Sequence, residues 1–187
     1  GPRSRAAVRR RRQNAGMTST TESPDARERA ARAFAEAAIG RPAGDWAPAS
    51  ADASFRRYFR ITAGGASHVV MDAPPEREAL GPFVDIAQRL SAAGLNVPAI
   101  LAEDRERGFL LLGDLGRVPY HHRLDADNAD SLFGDALAAL IRMQRETSTD
   151  GLPEYDAALL LRELALFPDW FLARHWQIEP TEAELDD

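Results

Sequence analysis

The stretch over residues 108–116, GFLLLGDLG, limits the possible folds more than any other part of the chain. Its four consecutive apolar residues stand between a charged turn and a glycine, a pattern that predicts a short strand buried on both faces. Short strands and two helices are predicted before it, and only helices after it. The stretch therefore marks the junction of a mixed lobe and a helical lobe or, as the alternative, an ordinary core strand that ends in a glycine-rich turn.

The chain before this stretch predicts a five-stranded, mostly antiparallel sheet with one helix inserted after its third strand. Alternating apolar and polar residues indicate strands, and an apolar stripe at helical spacing indicates the inserted helix. The predicted elements are a first sheet region over residues 46–61, a strand over 68–72, a helix over 82–93 and strands over 97–102 and 109–112.

Helices are predicted on both sides of this sheet, so the fold class is α+β. Ser23-Pro24-Asp25 is a helix-start signal, and Gly40 ends the alanine-rich segment that follows it. Helical spacing and capping signals place the later helices over residues 128–145 and 155–167, from Pro168 onward, and from the capping box at residues 181–184.

The composition excludes several kinds of site. All 23 basic residues are Arg, so a cationic side chain that binds phosphate here must be a guanidinium. The chain has no cysteine, which excludes disulfides and thiolate metal sites. No apolar run approaches the ~20 residues that span a membrane, and no apolar signal segment is present. We therefore expect a cytoplasmic protein without a membrane partner.

Six arginines lie within residues 1–16, which carry no acidic residue, although the whole chain has a formal net charge of −6. The remainder is therefore acidic, and we expect no nucleic-acid partner for it. We interpret residues 1–22 as a disordered arm in which Met17 is the true start. Binding of nucleic acid or anionic lipid by this arm is the alternative.

A run of small residues, 49–54, precedes three arginines, Arg56, Arg57 and Arg60. Small side chains let backbone N–H groups approach an anion closely, and arginine binds phosphate with two parallel hydrogen bonds. Ser54, Arg56 and Arg57 are therefore candidate phosphate contacts. A strand face with its charges in solvent is the alternative, because exposed arginines are frequent on strands.

Five segments of the chain, in this order, resemble the aminoglycoside phosphotransferase-like kinases, which share the protein-kinase fold. Within that family they are most similar to the bacterial kinases of N-acetylmuramate and N-acetylglucosamine. The resemblance extends over residues 24–176 approximately, and the matching segments are residues 52–60, 69–76, 94–98, 108–116 and 163–171.

The resemblance implies ATP-dependent phosphorylation of the anomeric hydroxyl of the sugar, in peptidoglycan recycling. It implies an N-lobe over residues 23–112, a hinge at 113–116 and a partial helical C-lobe over 117–187. The implied site residues are Ser54, Arg56 and Arg57 for the ATP phosphates, Leu112, Gly113, Asp114 and Leu115 for adenine, and Glu163 and Asp169 for the sugar.

The chain departs from the family pattern in three places. Met71-Asp72 ends the third strand where many kinases have a lysine, so Arg56 or Arg57 is expected to replace it. Ala51 stands where a glycine is often expected. The sequence contains no His-x-Asp followed five residues later by Asn, because His122-Arg123-Leu124-Asp125 has one residue too many.

We therefore expect the catalytic base and the magnesium ligands beyond Asp187, and no kinase activity from this chain alone. Three alternatives stay open: a non-catalytic nucleotide-binding or protein-interaction module of the same fold, a phosphotransferase of the aminoglycoside or homoserine type, and an α+β domain without a nucleotide site. The sequence predicts no oligomeric state.

Overall fold

The computed structural model describes residues 24–51, 54–179 and 181. The predicted arm over residues 1–22, the middle of the small-residue turn at 52–53 and the helix predicted over residues 181–184 lie wholly or largely outside the described residues. The chain divides into two compact units, of which the first ends at Thr147 and the second begins at Ser148. The predicted lobe boundary at residues 113–116 falls inside the first unit and stays a prediction.

The first unit contains the predicted five-stranded sheet, in the order β1-β2-β3-β5-β4, and every neighbouring pair is antiparallel. The predicted α+β class is therefore confirmed. The strands are β1 Trp46–Ala51, β2 Arg57–Ala63, β3 Ala66–Asp72, β4 Ile100–Asp104 and β5 Phe109–Gly113. The helices that pack on the sheet are α1 Pro24–Ile39 and α2 Leu80–Ala92, the latter inserted between β3 and β4 as predicted.

Each helix covers one face of the sheet, and β5 contributes apolar side chains to both faces. The α1 face holds Phe109 and Leu111, packed against Phe34 of α1. The α2 face holds Leu110 and Leu112 of the same strand. All four apolar residues of β5 are buried, at 0 to 3% exposure, which confirms the prediction of a strand buried on both faces.

The remaining helices present mostly exposed side chains. In the first unit, a 3₁₀ turn at Tyr120–His122 precedes α3, Ala129–Glu146. In the second unit, α4, Ala157–Leu166, is capped by Asp156, whose carboxylate accepts from the Leu159 N–H at 2.8 Å. No helix in the described ranges has the length and apolar composition that a membrane crossing requires.

One helix prediction needs correction. The sequence predicted a separate helix starting at Pro168, but α4 continues into a π-helical segment, Phe167–Trp176, without a break. Proline lacks an N–H and its ring crowds the carbonyl four residues earlier, which ends a regular α-helix. A π-helix has a wider turn that accommodates the proline ring, so the helix widens at Pro168 and no second helix begins there.

Candidate functional site

A cavity of about 360 Å³ opens on the α2 face of the sheet. Apolar side chains form most of its wall, and two polar side chains of β2, Tyr58 and Arg60, point to the same face by strand alternation. Such a mostly apolar cavity with a few polar groups is the usual form of a small-molecule site. Its lining residues are Ala49, Tyr58, Arg60, Val69, Phe83, Pro98, Leu112, Gly113, Asp114, Leu115, Gly116 and Arg117.

The four residues predicted to bind adenine, Leu112, Gly113, Asp114 and Leu115, all line this cavity. The Gly113 N–H donates to the Ala99 carbonyl at 2.8 Å, and this bond joins the end of β5 to the segment that leads into β4. The Gly113 N–H points to Ala99, so in the continuing β3–β5 register the Asp114 N–H points to the Ser67 carbonyl of β3. Among the described residues, the Leu115 N–H has no backbone acceptor. One backbone donor at the cavity, that of Leu115, is therefore available to a ligand.

The Asp114 carboxylate is bound by two strands of the sheet. Arg60 Nε donates to its Oδ2 at 2.7 Å and Arg60 Nη2 to its Oδ1 at 3.0 Å, and the Ser67 hydroxyl donates at 2.5 Å. The Arg60 hydrogen bonds, with those from Ser67 and the Gly116 N–H, hold the pKa of Asp114 well below its usual range. Asp114 is therefore ionised at neutral pH, and its carboxylate is bonded within the protein.

The two arginines predicted as phosphate contacts lie on opposite faces of the sheet. Arg57 is on the α1 face, where its Nε donates to Asp72 Oδ2 at 3.0 Å and its Nη2 donates to Asp72 Oδ2 and to the Pro24 carbonyl. The other oxygen of this fully buried carboxylate accepts from Arg27 of α1 at 2.6 Å. The guanidinium of Arg57 is thus engaged away from the cavity face.

Arg56 lies on the α2 face, next to the cavity. Its Nε donates to Glu78 Oε2 at 3.2 Å, and its guanidinium lies 5.9 Å from the centre of the Phe83 ring. Ser54 precedes it, and the Ser54 hydroxyl accepts from the Arg56 N–H at 3.1 Å. Glu78 also accepts, at 3.4 Å, from the Phe55 N–H. Glu78 therefore connects the end of the small-residue turn to the start of α2.

Sequence reasoning assigned no role to Glu78 or Asp72, and it treated Arg60 only as one of three arginines that could bind phosphates. The acidic residues just before α2 were a visible signal for Glu78. The two-residue period of β2, which puts Arg60 on the face of Arg56, was a signal for Arg60. Nothing in the sequence pattern indicated the partners of Asp72, since Arg27 is 45 residues away.

The predicted sugar contacts, Glu163 and Asp169, lie in the second unit. Glu163 is in α4 and Asp169 in the π-helical segment, and both are exposed.

The described residues contain no cluster of three or more His, Asp or Glu that could hold a metal ion. Asp125 accepts from the N–H groups of Asp127 and Asn128, as the first residue of a local turn.

Comparison with known proteins identifies relatives of this chain. A model described as the phosphotransferase enzyme family matches residues 45–187. The N-acetylmuramate/N-acetylglucosamine kinase of Pseudomonas aeruginosa is 56% identical over 138 residues, which cover 74% of this chain and 41% of that kinase. The kinase of the same name from Pseudomonas putida is 52% identical over 143 residues, covering 76% and 42%. That from Neisseria meningitidis is 37% identical over 131 residues, covering 67% and 39%. The chain thus spans about two fifths of the length of these relatives.

Proposed function

The chain belongs to the phosphotransferase enzyme family, and from this premise we propose that it supplies the nucleotide-binding part of an ATP-dependent sugar kinase. The acceptor is the anomeric hydroxyl of N-acetylmuramate or N-acetylglucosamine, the sugars in the names of its relatives. The observation that carries the proposal is the cavity on the α2 face, which is lined by the segment that follows β5. A kinase that consumes ATP also fits the cytoplasmic location predicted from the sequence.

The base of ATP binds in this cavity. Val69 and Leu112 supply apolar contacts for a flat aromatic ring, and the backbone N–H of Leu115 supplies a hydrogen-bond donor. An aromatic heterocycle needs both, because its faces are apolar and its edges carry hydrogen-bonding groups. The chemistry of the lining residues therefore fits a nucleoside.

Arg56 is the cation that binds the ATP phosphates, with Ser54 in the turn that covers them. The position of Arg56 on the cavity face supports this assignment, as does its ion pair with Glu78, which fixes the direction of the guanidinium. Phosphoryl transfer depends on positioning and charge neutralisation, and a cation held by an acid near α2 supplies both. Met71 of β3 is fully buried and apolar, so β3 does not provide this cation.

Arg57 has a supporting role in this account. Its guanidinium is held by the buried Asp72, so we assign it to the attachment of α1 and not to the first contact with phosphate. This attachment fixes the start of β2, and with it the position of the neighbouring Arg56.

The sugar and magnesium sites are assigned more coarsely. Glu163 and Asp169 are exposed carboxylates of the second unit, and carboxylates accept hydrogen bonds from sugar hydroxyls. Magnesium would neutralise the charge that develops on the ATP phosphates. The described residues do not fit a magnesium site, since they lack the donor cluster it requires. The magnesium ligands and the catalytic base are assigned to the part of the longer relatives that lies outside the match.

Calorimetric titration of the chain with ATP, adenosine and GTP tests this function. We expect ATP and adenosine to bind, and we expect no sugar phosphate when the acetylated amino sugars are added. A Val69→Trp variant fills the cavity and is expected to abolish binding, whereas Leu101→Trp, at an exposed position of β4, is the matched control. Absence of ATP and adenosine binding at millimolar concentration would overturn the proposal.

A further inference from the structure

Asp114 connects the segment that follows β5 to two other strands. Its carboxylate is bound in a fork by Arg60 of β2, at 2.7 and 3.0 Å, and by the Ser67 hydroxyl of β3 at 2.5 Å. Both side chains of this ion pair are largely buried, since that of Arg60 is 13% exposed and that of Asp114 is 6% exposed. Bidentate pairs of this kind fix geometry as well as adding energy.

The side chains of Arg60 and Asp114 also bind the backbone of Gly116. Arg60 Nη2 donates to the Gly116 carbonyl at 2.8 Å, and the Gly116 N–H donates to Asp114 Oδ1 at 3.0 Å. Among the described residues, no backbone-to-backbone hydrogen bond reaches positions 115–117. The position of this segment therefore depends on side-chain bonds, and almost all of them pass through Arg60 and Asp114.

The backbone donor assigned to the base lies in this segment. The Leu115 N–H lies between Asp114 and Gly116, the two residues bonded to Arg60. The Asp114 carboxylate itself is occupied by protein donors. A ligand in the cavity therefore meets the backbone of Asp114 and not its charge.

We propose that Arg60, Asp114 and Ser67 form a latch of positioning residues that sets the affinity of the cavity for the nucleoside part of the nucleotide. The latch does not touch the phosphates, which Arg56 binds from just before the start of β2. The inference rests on the proposed function, since it concerns the same cavity. Its specific content is that base affinity and phosphate affinity depend on different arginines, Arg60 in β2 and Arg56 just before it.

Substituting Asp114 by asparagine separates these two affinities. Asn keeps the size of the side chain but presents an NH₂ group and no charge to the Arg60 fork, so the segment loses its anchor. We expect the dissociation constants of adenosine and ATP to rise together by about tenfold or more, and that of inorganic tripolyphosphate to stay within about twofold. A purely structural effect would lower the fraction of competent protein in the titration and leave the dissociation constant unchanged.

Asp104→Asn is the matched control, because Asp104 also accepts from an arginine, at 2.9 Å from the Arg107 N–H and 2.8 Å from its Nε, in the turn after β4. We expect this control to bind all three ligands like the unchanged chain. Arg60→Lys keeps the charge but loses the fork, so we expect an intermediate adenosine affinity. Ser67→Ala removes only the hydrogen bond from the Ser67 hydroxyl to Asp114. It therefore replaces Asp114→Asn in the test if that variant does not fold. We expect Ser67→Ala to bind adenosine about threefold more weakly.

Adenosine binding of wild-type strength by Asp114→Asn or, where that variant does not fold, by Ser67→Ala would overturn the latch and leave the proposed function standing. Equal weakening of adenosine and tripolyphosphate would also overturn it, because the latch would then not be specific to the base. Absence of adenosine and ATP binding by the unchanged chain would instead overturn the proposed function, and the role of the latch with it.

Discussion

Arg57 and Asp72 face each other across the β2–β3 pair, on the side of the sheet that α1 covers. The fully buried carboxylate of Asp72 is shared between Arg57 on one oxygen and Arg27 of α1 on the other. Arg27 also donates to the Arg107 carbonyl at 2.8 Å. One buried anion thus joins the N-terminal helix, two strands of the sheet and the turn before β5.

We expect Asp72→Asn to lower the free energy of unfolding by about 3 to 5 kcal/mol, because it leaves buried arginine charge without its partner. Urea unfolding followed by circular dichroism measures this difference. Asp85→Asn is the control, since Asp85 forms an exposed pair with Arg89 on α2, and such pairs contribute about 0.3 to 0.5 kcal/mol. Equal unfolding midpoints for the two variants would contradict the role given to Asp72.

We expect Arg56→Ala to weaken ATP binding by about tenfold or more while leaving adenosine binding unchanged, because hydrogen bonds to charged groups contribute about 1.5 to 3 kcal/mol. Calorimetric titration at constant ionic strength measures both ligands. Arg105→Ala is the control, because Arg105 is 61% exposed in the turn between β4 and β5. Unchanged ATP affinity in Arg56→Ala would mean that a residue other than Arg56 contacts the phosphates.

The acid dependence of stability should report on Asp114. Its pKa is held below the usual aspartate range, first by Arg60 and then by Ser67 and the Gly116 N–H. A depressed pKa contributes stability above the unfolded pKa, and this stability is lost as the pH falls through the folded pKa. We therefore expect the stability difference between the unchanged chain and Asp114→Asn to be constant from about pH 7 to 5 and to shrink below about pH 4.

Urea unfolding at several pH values between neutrality and the acid limb tests this expectation. The Asp104→Asn variant, measured over the same range, separates Asp114 from the general loss of carboxylate charge. A difference for Asp114→Asn that persisted unchanged to about pH 2 would mean that the carboxylate contributes nothing specific to folding.

The exposed apolar face of α3 leads to a prediction about the longer relatives. Phe133, Leu137, Leu140 and Ile141 recur at helical spacing and are 43 to 57% exposed. More than half of the Pseudomonas aeruginosa kinase lies outside the match, and we expect that remainder to cover this face. Expressed separately, it should bind the chain, and Leu137→Asp should weaken the complex in size-exclusion chromatography. Asp135→Ala, elsewhere on α3, is the control, and equal binding by both variants would refute the prediction.

Much of the fold could be predicted because local patterns and tertiary structure agree. The apolar run before Gly113 predicted the buried strand β5, and the start signal at Pro24 with the stop at Gly40 predicted α1 with the bounds that the structure shows. The continuation of α4 through Pro168 could not be predicted, because a proline usually ends an α-helix and the π-helical alternative has no sequence signal.

Fewer features of the candidate site than of the fold could be predicted from the sequence. Arg56 and Arg57 were treated alike because they are adjacent, yet the strand period sends them to opposite faces. Which face carries the cavity depends on where α1 and α2 pack, and that is a tertiary property. The bond between Arg60 and Asp114 joins residues 54 positions apart, so no local pattern indicates it.

The account depends on a nucleotide base binding at the segment after β5. Two-dimensional ¹H–¹⁵N spectra of the chain, recorded during titration with ADP, observe the proposed donor directly. We predict that the backbone amide signal of Leu115 shifts in a saturable manner, together with those of the cavity residues Asp114 and Val69. Spectra in which these signals stay unchanged at saturating ADP, or in which only residues remote from the cavity respond, would contradict the central claim.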